Sequence, residues 1–520
     1  MMIDDVVGSD QVPDFAGHDA WALIHRAATG APAFSSAVRR FGMLTIAEYL
    51  DRLVIAPAPD PVGGGVAEVA DAVRALAEPV YGETVANRAA TEMLADPIVA
   101  TTNHSGLDTM ADSFHATLLH CVRGQRYMPG RRTAVVLSCG SVSMDNPTFP
   151  MGLLYYQPRR LGSKTYRLTL LSHRQRRRMV RTAPRLTSAD IARVRARLTS
   201  YRVSDSDISE YSRRQLLRAL DEDVDRPDIA EAASFDDQSR LINARLWDRS
   251  VPATCARPVY VELERVTALL LARDLRDTSS LIYPLVFDHE VRTRLLRALE
   301  GVRGCWRTEV LEQGDPRGGT HLFWTVSPQG SRVPVVVRSQ GGSDRLVEVT
   351  AATDPRSWEL APEPLAQAIA AEELIPALPT CFTVVSSARG VGCLGGYYQS
   401  EYLPRVHAAV RTTIEQCGIG DRSVDIPMGW NLAGIQAVLG RDTTGTHIPL
   451  GPVALASEGG LSEQEIAGIL RTPMVEAQVA ALSEILVDLL AVREITGPDA
   501  ERLVGALSDA RGMVYRAVGR

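Results

Sequence analysis

The segment PIVATTNHSGLDTMADSFHATLLH, residues 97–120, determines the fold class that the sequence predicts for this chain. Its first five residues are a short apolar run typical of a buried strand, and the polar turn NHSGLD follows. Apolar residues at helical spacing then continue to about Leu119. The next apolar run, Thr133–Ser138, predicts a second buried strand that ends in the polar residues CGS. A strand, a turn, a helix and another strand together predict an α/β layer.

Helical periodicity dominates outside that layer. We therefore predict a mixed α/β fold: two α/β regions with large helical additions at the N-terminus, in the middle and at the C-terminus. The predicted regions are helical at 1–96, α/β at 97–200, helical at 201–280, mixed α/β at 281–410 and helical at 411–520. Within the fourth region, the apolar run Cys381–Ser386 predicts a strand that leads into the glycine-rich turn ARGVGCLGG.

The composition excludes several classes of protein. Of 520 residues, 45% are hydrophobic and 23% charged, which is typical of a globular protein and not of a fibrous or disordered one. The acidic N-terminus lacks the apolar core of a signal peptide, and no apolar run reaches the roughly 20 residues that span a bilayer. The seven cysteines are scattered and form no CxxC pair. We expect a cytoplasmic protein with no membrane partner.

The basic residues are almost all arginine. Of the 56 basic residues only Lys164 is a lysine, which indicates a high-GC bacterial genome. A phosphate-binding Gly-Lys-Ser/Thr loop is therefore excluded, and any catalytic lysine would have to be Lys164. No dinucleotide fingerprint is present either, so we expect no cofactor.

Four titratable residues of the segment 97–120 follow one another at helical spacing. His104, Asp108, Asp112 and His115 would share a stripe about 80° wide if the segment were helical throughout. His104 would then act as a general base, with Asp108 orienting it, as acyl transfer to a hydroxyl or amine requires. Two alternatives stay open: the stripe could bind a metal ion, or it could be a polar helix face with structural hydrogen bonds.

A second polar cluster follows the strand Thr133–Ser138. A turn at this strand end could complete one pocket with the His104 turn, because the carboxyl ends of neighbouring parallel strands meet. Cys139 is a nucleophile if His104 lowers its pKa, or else a small buried side chain. The sequence Asp145-Asn146-Pro147 is also explained by turn chemistry alone. The residues predicted to contact the substrate or stabilise its oxyanion are Asn103, Ser138, Cys139, Asp145 and Asn146.

The segment 159–197 carries the strongest charge asymmetry in the chain. It holds 13 basic residues and one acid, a net charge of +12 in a chain whose net charge is −6. Such a cluster predicts a phosphate-rich partner, and an RNA would fit it with Tyr155, Tyr156 and Tyr166 as stacking surfaces. The residues predicted to contact nucleic acid are Arg174, Arg176, Arg177, Arg178, Arg181 and Arg193.

Two alternatives to an RNA partner remain for this segment. A small phosphate-bearing ligand such as coenzyme A needs fewer charges. Internal pairing is possible because residues 201–240 hold 11 acids against six arginines and could fold back on the basic segment.

The spacing His104-x-x-x-Asp108 resembles the HxxxD motif of acyltransferases that use coenzyme A or a carrier protein. The glycine that usually follows the aspartate in that motif is replaced by Thr109. The motif covers only a few residues, and it implies the same role for His104 as a general base.

The two blocks TTNHSGLDTMADSFHATLLH and VVLSCGSVSMDNPTFPMGLLYYQ together resemble a family of bacterial aminoacyl-tRNA-dependent transferases. That family is typified by the seryltransferase of actinobacterial valanimycin biosynthesis. The resemblance implies transfer of a seryl group from charged tRNA to a small amine or hydroxylamine in the biosynthesis of an antibiotic. It implies no particular catalytic residue.

The base and the basic segment fit one function. An aminoacyl ester is already activated, so its transfer needs a base and a tRNA surface but no ATP site. We therefore predict an aminoacyltransferase that uses charged tRNA. The rival interpretations are an HxxxD acyltransferase dependent on coenzyme A or a carrier protein, a non-catalytic RNA-binding protein, and a metal-dependent hydrolase.

Overall fold

A computed structural model of the chain describes residues 40–54, 65–158, 163–200, 209–313, 315–340, 343–350, 354–396, 398–419, 435, 437–441, 447–478, 480–481 and 516–518. Residues 1–39 of the predicted N-terminal helical region lie outside this part of the chain. Most of the helices predicted near the C-terminus also lie outside it.

Helices account for most of the regular structure. In the first half they are α1 (Ile46–Arg52), α2 (Gly65–Tyr81), α3 (Glu83–Ala95), α4 (Ala111–Tyr127), α5 (Ser188–Ser200), α6 (Glu210–Ala219), α7 (Pro227–Glu231) and α8 (Phe235–Ser250). In the second half they are α9 (Leu263–Asp274), α10 (Ile282–Phe287), α11 (His289–Leu299), α12 (Thr308–Leu311), α13 (Pro362–Ala370), α14 (Leu378–Phe382), α15 (Gln399–Cys417), α16 (Pro452–Ser457) and α17 (Glu463–Leu470). None of the helices in the described residues is both long enough and apolar enough to cross a membrane.

The strands are distributed along the whole chain. They are β1 (Ile98–Ala100), β2 (Thr133–Ser138), β3 (Gly152–Pro158), β4 (Ser163–Thr169), β5 (Arg257–Glu262), β6 (Phe323–Val326), β7 (Arg332–Gln340), β8 (Ser343–Glu348), β9 (Ser357–Glu359), β10 (Leu374–Pro376), β11 (Gly392–Leu394), β12 (Leu439–Arg441), β13 (His447–Pro449) and β14 (Arg516–Val518).

Four parallel strands form the central sheet in the order β11–β1–β2–β5. Every residue of β1 and β2 is buried, as is β5 beyond its first residue. Strands buried on both faces have continuous apolar sequences, which is why TAVVLS could be recognised as a strand. Val135 pairs with Val259, and Leu137 pairs with Val261.

Helices cover both faces of the central sheet, and each face has its own core. Ile98 packs into a core shared with Phe114 of α4 and Ile242 of α8. The next residue, Val99, packs into the opposite core with Val73 of α2 and with side chains of α3 and α9. This alternation follows from the two-residue period of a strand.

An antiparallel sheet in the order β10–β6–β7–β8–β9 packs beside the central sheet. Its residues Phe323 and Val335 belong to the same core as Val99. A hairpin of β3 and β4 and a small sheet in the order β13–β12–β14 complete the described strands.

The mixed α/β fold class is confirmed, but the central sheet crosses the predicted region boundaries. It takes β1 and β2 from region 97–200, β5 from region 201–280 and β11 from region 281–410. Region 201–280 was predicted to be helical and contains a strand as well. The strand predicted over Cys381–Ser386 is wrong: this stretch is helical, and the strand lies in the glycine-rich sequence after it, at Gly392–Leu394.

Candidate functional site

The loops at the carboxyl end of the central sheet bring His104 and Cys139 side by side. Beyond the last paired residues of β1 and β2, the backbone N–H of Cys139 donates to Asn103 O at 3.1 Å, and that of Ser105 donates to Cys139 O at 2.9 Å. His104 thereby forms an isolated parallel bridge with Cys139. This edge of a parallel sheet is where α/β proteins place their ligands.

The loop after β11 completes the edge. The side-chain amide of Gln399, the first residue of α15, donates to Thr101 Oγ1 at 2.7 Å and to Cys393 O at 3.1 Å. The close approach needs the glycine at 395, since a Cβ there would lie 1.8 Å from the Gln399 side chain. The helix that begins at Gln399 is therefore fixed against the loop that carries His104.

The imidazole of His104 is held in one tautomer by Thr148. Its Nδ1 lies 2.9 Å from Thr148 Oγ1, and the hydroxyl proton of Thr148 is donated to Asn146 Oδ1 at 3.0 Å. Thr148 can then only accept from His104, so Nδ1 carries the ring proton. The second nitrogen, Nε2, makes no hydrogen bond within the described part of the chain, and it is the basic atom.

Burial keeps this imidazole neutral. His104 is half-buried, and burial lowers its pKa to about 4. The carboxylate of Glu264 raises the pKa of His104, and the guanidinium of Arg332 lowers it. At neutral pH the ring is unprotonated, which is the state that a general base needs.

Asp108 does not orient His104. Its carboxylate accepts hydrogen bonds from Asn103 Nδ2 at 2.5 Å, Ser113 Oγ at 2.5 Å and Tyr260 OH at 2.9 Å. Burial raises the pKa of Asp108 to about 6, against the effect of these three donors. Asp108 instead ties the β1–α4 loop to α4 and β5. The residue that contacts the His104 ring is Thr148, in the role that the sequence analysis predicted for Asp108.

The four predicted residues do not form one helical stripe, because α4 begins only at Ala111. Asp112 lies in the first turn of α4. His115 is fully buried, with Nε2 2.9 Å from Leu450 O, and burial lowers its pKa to about 4. Within the described residues no three His, Cys, Asp or Glu side chains are grouped closely enough to hold a metal ion.

Cys139 is a protonated thiol and not an activated nucleophile. Its Sγ donates to Glu264 Oε1 at 3.1 Å. Burial and the Glu264 carboxylate raise the pKa of Cys139 well above its ordinary value, the opposite of the change that a cysteine nucleophile requires.

Glu264, at the start of α9, fixes the turn after β2. Its carboxylate also accepts from the backbone N–H of Gly140 at 2.8 Å and of Ser141 at 2.9 Å. These two donors are therefore occupied, and the predicted oxyanion site cannot use them. Ser138 is buried as well.

Asp145 and Asn146 lie in the turn that follows. Asp145 is exposed and accepts from Ser143 Oγ at 2.6 Å. Asn146 Oδ1 accepts from both the backbone N–H and the hydroxyl of Thr148. Asn146 thus acts through turn chemistry, and it reaches His104 only by way of Thr148.

The predicted nucleic-acid-binding arginines divide into an exposed and an internal group. Arg174, Arg176, Arg177 and Arg193 are exposed. Arg178 is half-buried. Arg181 turns inward and pairs with the buried Glu262 at 3.0 Å and with Glu372 at 3.1 Å.

Part of the basic segment is neutralised internally. Arg195 pairs with Asp221 and Asp225, so acids of region 201–240 do fold back on it, and Arg193 pairs with Asp190 at 2.7 Å. The predicted stacking role of Tyr155 and Tyr156 is wrong for both, since they are buried in the molecule. Both tyrosines continue the run of buried residues that Leu153 and Leu154 begin in β3.

The segment that carries the exposed Arg176 and Arg177 lies along the turn that follows β2. Asp145 N donates to Arg176 O at 3.0 Å, Met144 N donates to Arg178 O at 2.9 Å, and Arg181 N donates to Gly140 O at 3.2 Å. The segment 176–181 is thereby paired with 140–145, next to Cys139. The exposed cationic surface and the His104 site are neighbours.

Sequence reasoning missed three residues of this site: Thr148, Glu264 and Arg332. Glu264 stands just after the end of a buried strand, which was the available signal. Thr148 and Arg332 reach the site only through tertiary contacts, and nothing in their local sequence marks them.

A cavity of about 620 Å³ lies elsewhere, between α11 and β7. Its lining includes His289, Arg292, Trp306, His321 and Asp344, and none of the predicted site residues. We assign the candidate site to the His104 edge because the basic nitrogen and the exposed arginines are there.

Comparison of the sequence with protein-family models finds no match, and the search of curated proteins finds no significant one either.

Proposed function

We propose that this protein is an acyltransferase that moves an aminoacyl group, most specifically a seryl group, from charged tRNA to a small amine or hydroxylamine. The observation that carries the proposal is His104, whose Nδ1 is held by Thr148 and whose Nε2 is neutral and unpartnered within the described residues. A base in that state removes the proton that an amine must lose when it attacks an ester.

The reaction is a direct attack. The nitrogen of the acceptor attacks the carbonyl carbon of the aminoacyl ester while His104 Nε2 accepts its proton. The new C–N bond forms, the C–O bond to the ribose breaks, and the proton on His104 passes to the departing ribose oxygen. No external energy source is needed because the ester is already activated.

The exposed arginines support a tRNA donor. Arg176 and Arg177 face solvent on the segment that is paired with the turn beside Cys139, and Arg174 faces solvent just before that segment. A tRNA held there by its phosphates would have its 3′ end at the neighbouring His104 edge. A charged-tRNA donor and the resemblance to the valanimycin seryltransferase family both support a cytoplasmic reaction in the biosynthesis of a natural product.

The test is transfer from seryl-tRNA to a small N-alkylhydroxylamine, measured as adduct by mass spectrometry. We expect His104→Ala to lower the rate of transfer by about 10²- to 10⁴-fold. His289→Ala is the matched control, since His289 is exposed and lines the separate cavity between α11 and β7, and it should retain the native rate. A His104→Ala variant with full transfer would remove the proposed base.

Donor specificity distinguishes the rival enzymes. Charged tRNA should be retained on filters more tightly than uncharged tRNA, and retention should fall steeply as salt rises. Transfer from an acyl-CoA that survives ribonuclease would favour the HxxxD acyltransferase. Salt-sensitive tRNA binding without turnover would identify a non-catalytic RNA-binding protein.

A further inference from the structure

Arg332 stands at the candidate site with no acidic partner. It is the first residue of β7, and its guanidinium lies over the ring of Trp324, 4.7 Å from the ring centre. The side chain is half-buried, yet within the described part of the chain it makes no hydrogen bond and no ion pair. All of its N–H donors are therefore open to a ligand.

Hydrogen bonds hold the turn before Arg332 against the segment that lies beside the His104 site. The β6–β7 turn docks through Gly330 O, which accepts from Met179 N at 2.9 Å and from Thr182 Oγ1 at 2.6 Å. Met179 lies in the segment 176–181, which is itself paired with the turn beside Cys139. Gly330 has φ +80°, and a Cβ there would lie 2.7 Å from Arg178, so this docking requires glycine.

Within the described residues, the charge of Arg332 is not neutralised by an ion pair. Its guanidinium acts on the imidazole of His104, on the Cys139 thiol and on the exposed carboxylate of Asp145. None of these three forms an ion pair with it. A part-buried guanidinium without a counter-ion is costly to hold, and a planar fork stacked on an aromatic ring is the geometry that binds carboxylate or phosphate bidentately.

We propose that Arg332 is an anion-binding residue that holds a carboxylate or phosphate group of the substrate beside His104. Only the source of this anionic group rests on the proposed function. Under that function, the group is the carboxylate of the acceptor or a phosphate at the 3′ end of the tRNA. The subsite joins two sheets: His104 comes from the edge of the central sheet and Arg332 from the antiparallel sheet.

The test is anion binding by the whole protein, without any transfer reaction. Inorganic phosphate and acetate are titrated separately while the Cε1–H resonance of His104, assigned with His104→Gln, is followed by NMR. We expect a saturable shift in the native protein. Arg332→Gln should weaken binding about tenfold or more, because a charged pair of hydrogen bonds is lost.

Arg338→Gln is the matched control, since Arg338 lies on the same strand and is exposed. It should leave the titration unchanged. Arg332→Lys keeps the positive charge but lacks the two-pronged guanidinium, so it should bind the anions with intermediate affinity. This variant tests the proposal if Arg332→Gln does not fold. Tighter binding of phosphate assigns the subsite to the tRNA, and tighter binding of acetate assigns it to the acceptor.

The proposal is overturned if the native protein shows no saturable shift with either anion, or if Arg332→Gln binds both as tightly as native protein. Its failure can be told from failure of the proposed function. If Arg332→Gln loses anion binding while His104→Ala retains full transfer, the anion-binding role of Arg332 is supported and the role of His104 as the base is refuted.

Discussion

At the scale of the residue, the candidate site depends on a single hydroxyl. Thr148 joins Asn146 to His104 and thereby selects the ring nitrogen that is free to accept a proton. Thr148 touches the base and not the reacting atoms, so it is a positioning residue.

Thr148→Val should lower the rate of transfer by about tenfold to a hundredfold, because the imidazole loses the acceptor that fixes its orientation. Thr148→Ser keeps the hydroxyl and should restore most of the rate. The ¹⁵N shifts of His104 should show a mixture of tautomers in the valine variant only. Loss of rate in Thr148→Ser with the native rate in Thr148→Val would mean that the methyl group, and not the hydroxyl, matters.

The residue scale also shows why the site was only half predictable. His104 and Cys139 follow strands that were readable as buried apolar runs, so their meeting at one edge followed from parallel-sheet geometry. Thr148 and Arg332 are about 40 and about 230 residues from His104 in sequence. Their contacts depend on how the later chain packs, which no local pattern encodes.

At the scale of the element, the loop between β1 and α4 is held by a buried carboxyl group. Asp108 accepts from Tyr260 on β5 and from Ser113 on α4. The predicted helical stripe failed here because NHSGLD is a loop that this carboxyl organises, and α4 starts after it. The sequence showed the polar residues but not which of them would be neighbours.

The pKa of Asp108, raised from 3.8 to about 6, predicts a pH-dependent stability. Between pH 4 and 6 the folded protein holds a proton that the unfolded chain releases, so the contribution of Asp108 is largest at low pH and is lost as pH rises through 6. Asp108→Asn lacks this titration. The free energy of unfolding of native protein minus that of the variant should therefore fall by about 2 kcal/mol from pH 4 to pH 7.

Urea denaturation of both proteins across this range measures the difference. Asp354→Asn, at an exposed carboxylate, is the control, and its difference from native protein should stay flat. A flat difference for Asp108→Asn would contradict a buried, easily protonated Asp108.

At the scale of the whole molecule, an arginine of the basic segment helps to connect the two sheets, together with Arg265. Arg181 bridges the fully buried Glu262, the last residue of β5, and Glu372, which precedes β10. Burial raises the pKa of Glu262 to about 7, and the charge of Arg181 opposes that change. From sequence this arginine was not distinguished from its exposed neighbours, since a dense cluster of arginines carries no sign of which side chains turn inward.

Arg181→Gln should destabilise the protein by about 2–4 kcal/mol, because a buried carboxylate loses its nearest cation while Arg265 remains near it. Arg177→Gln, on the exposed side of the same segment, should change stability by less than about 0.5 kcal/mol and should weaken tRNA binding. Chemical denaturation and filter retention of both variants separate the two roles. Similar stabilities of the two variants would mean that Arg181 is not structural.

The order of strands in the central sheet has a consequence for synthesis. β11 pairs with β1 across about 290 residues of sequence, and Arg332 also follows long after His104. A ribosome adding about 5–20 residues per second needs about 15–60 s to make that stretch. Throughout this time the emerging chain carries the His104 loop without Gln399 beside it, and Arg332 is made only about 230 residues after His104. The candidate site of the nascent polypeptide therefore stays incomplete until more than three quarters of the chain has been translated.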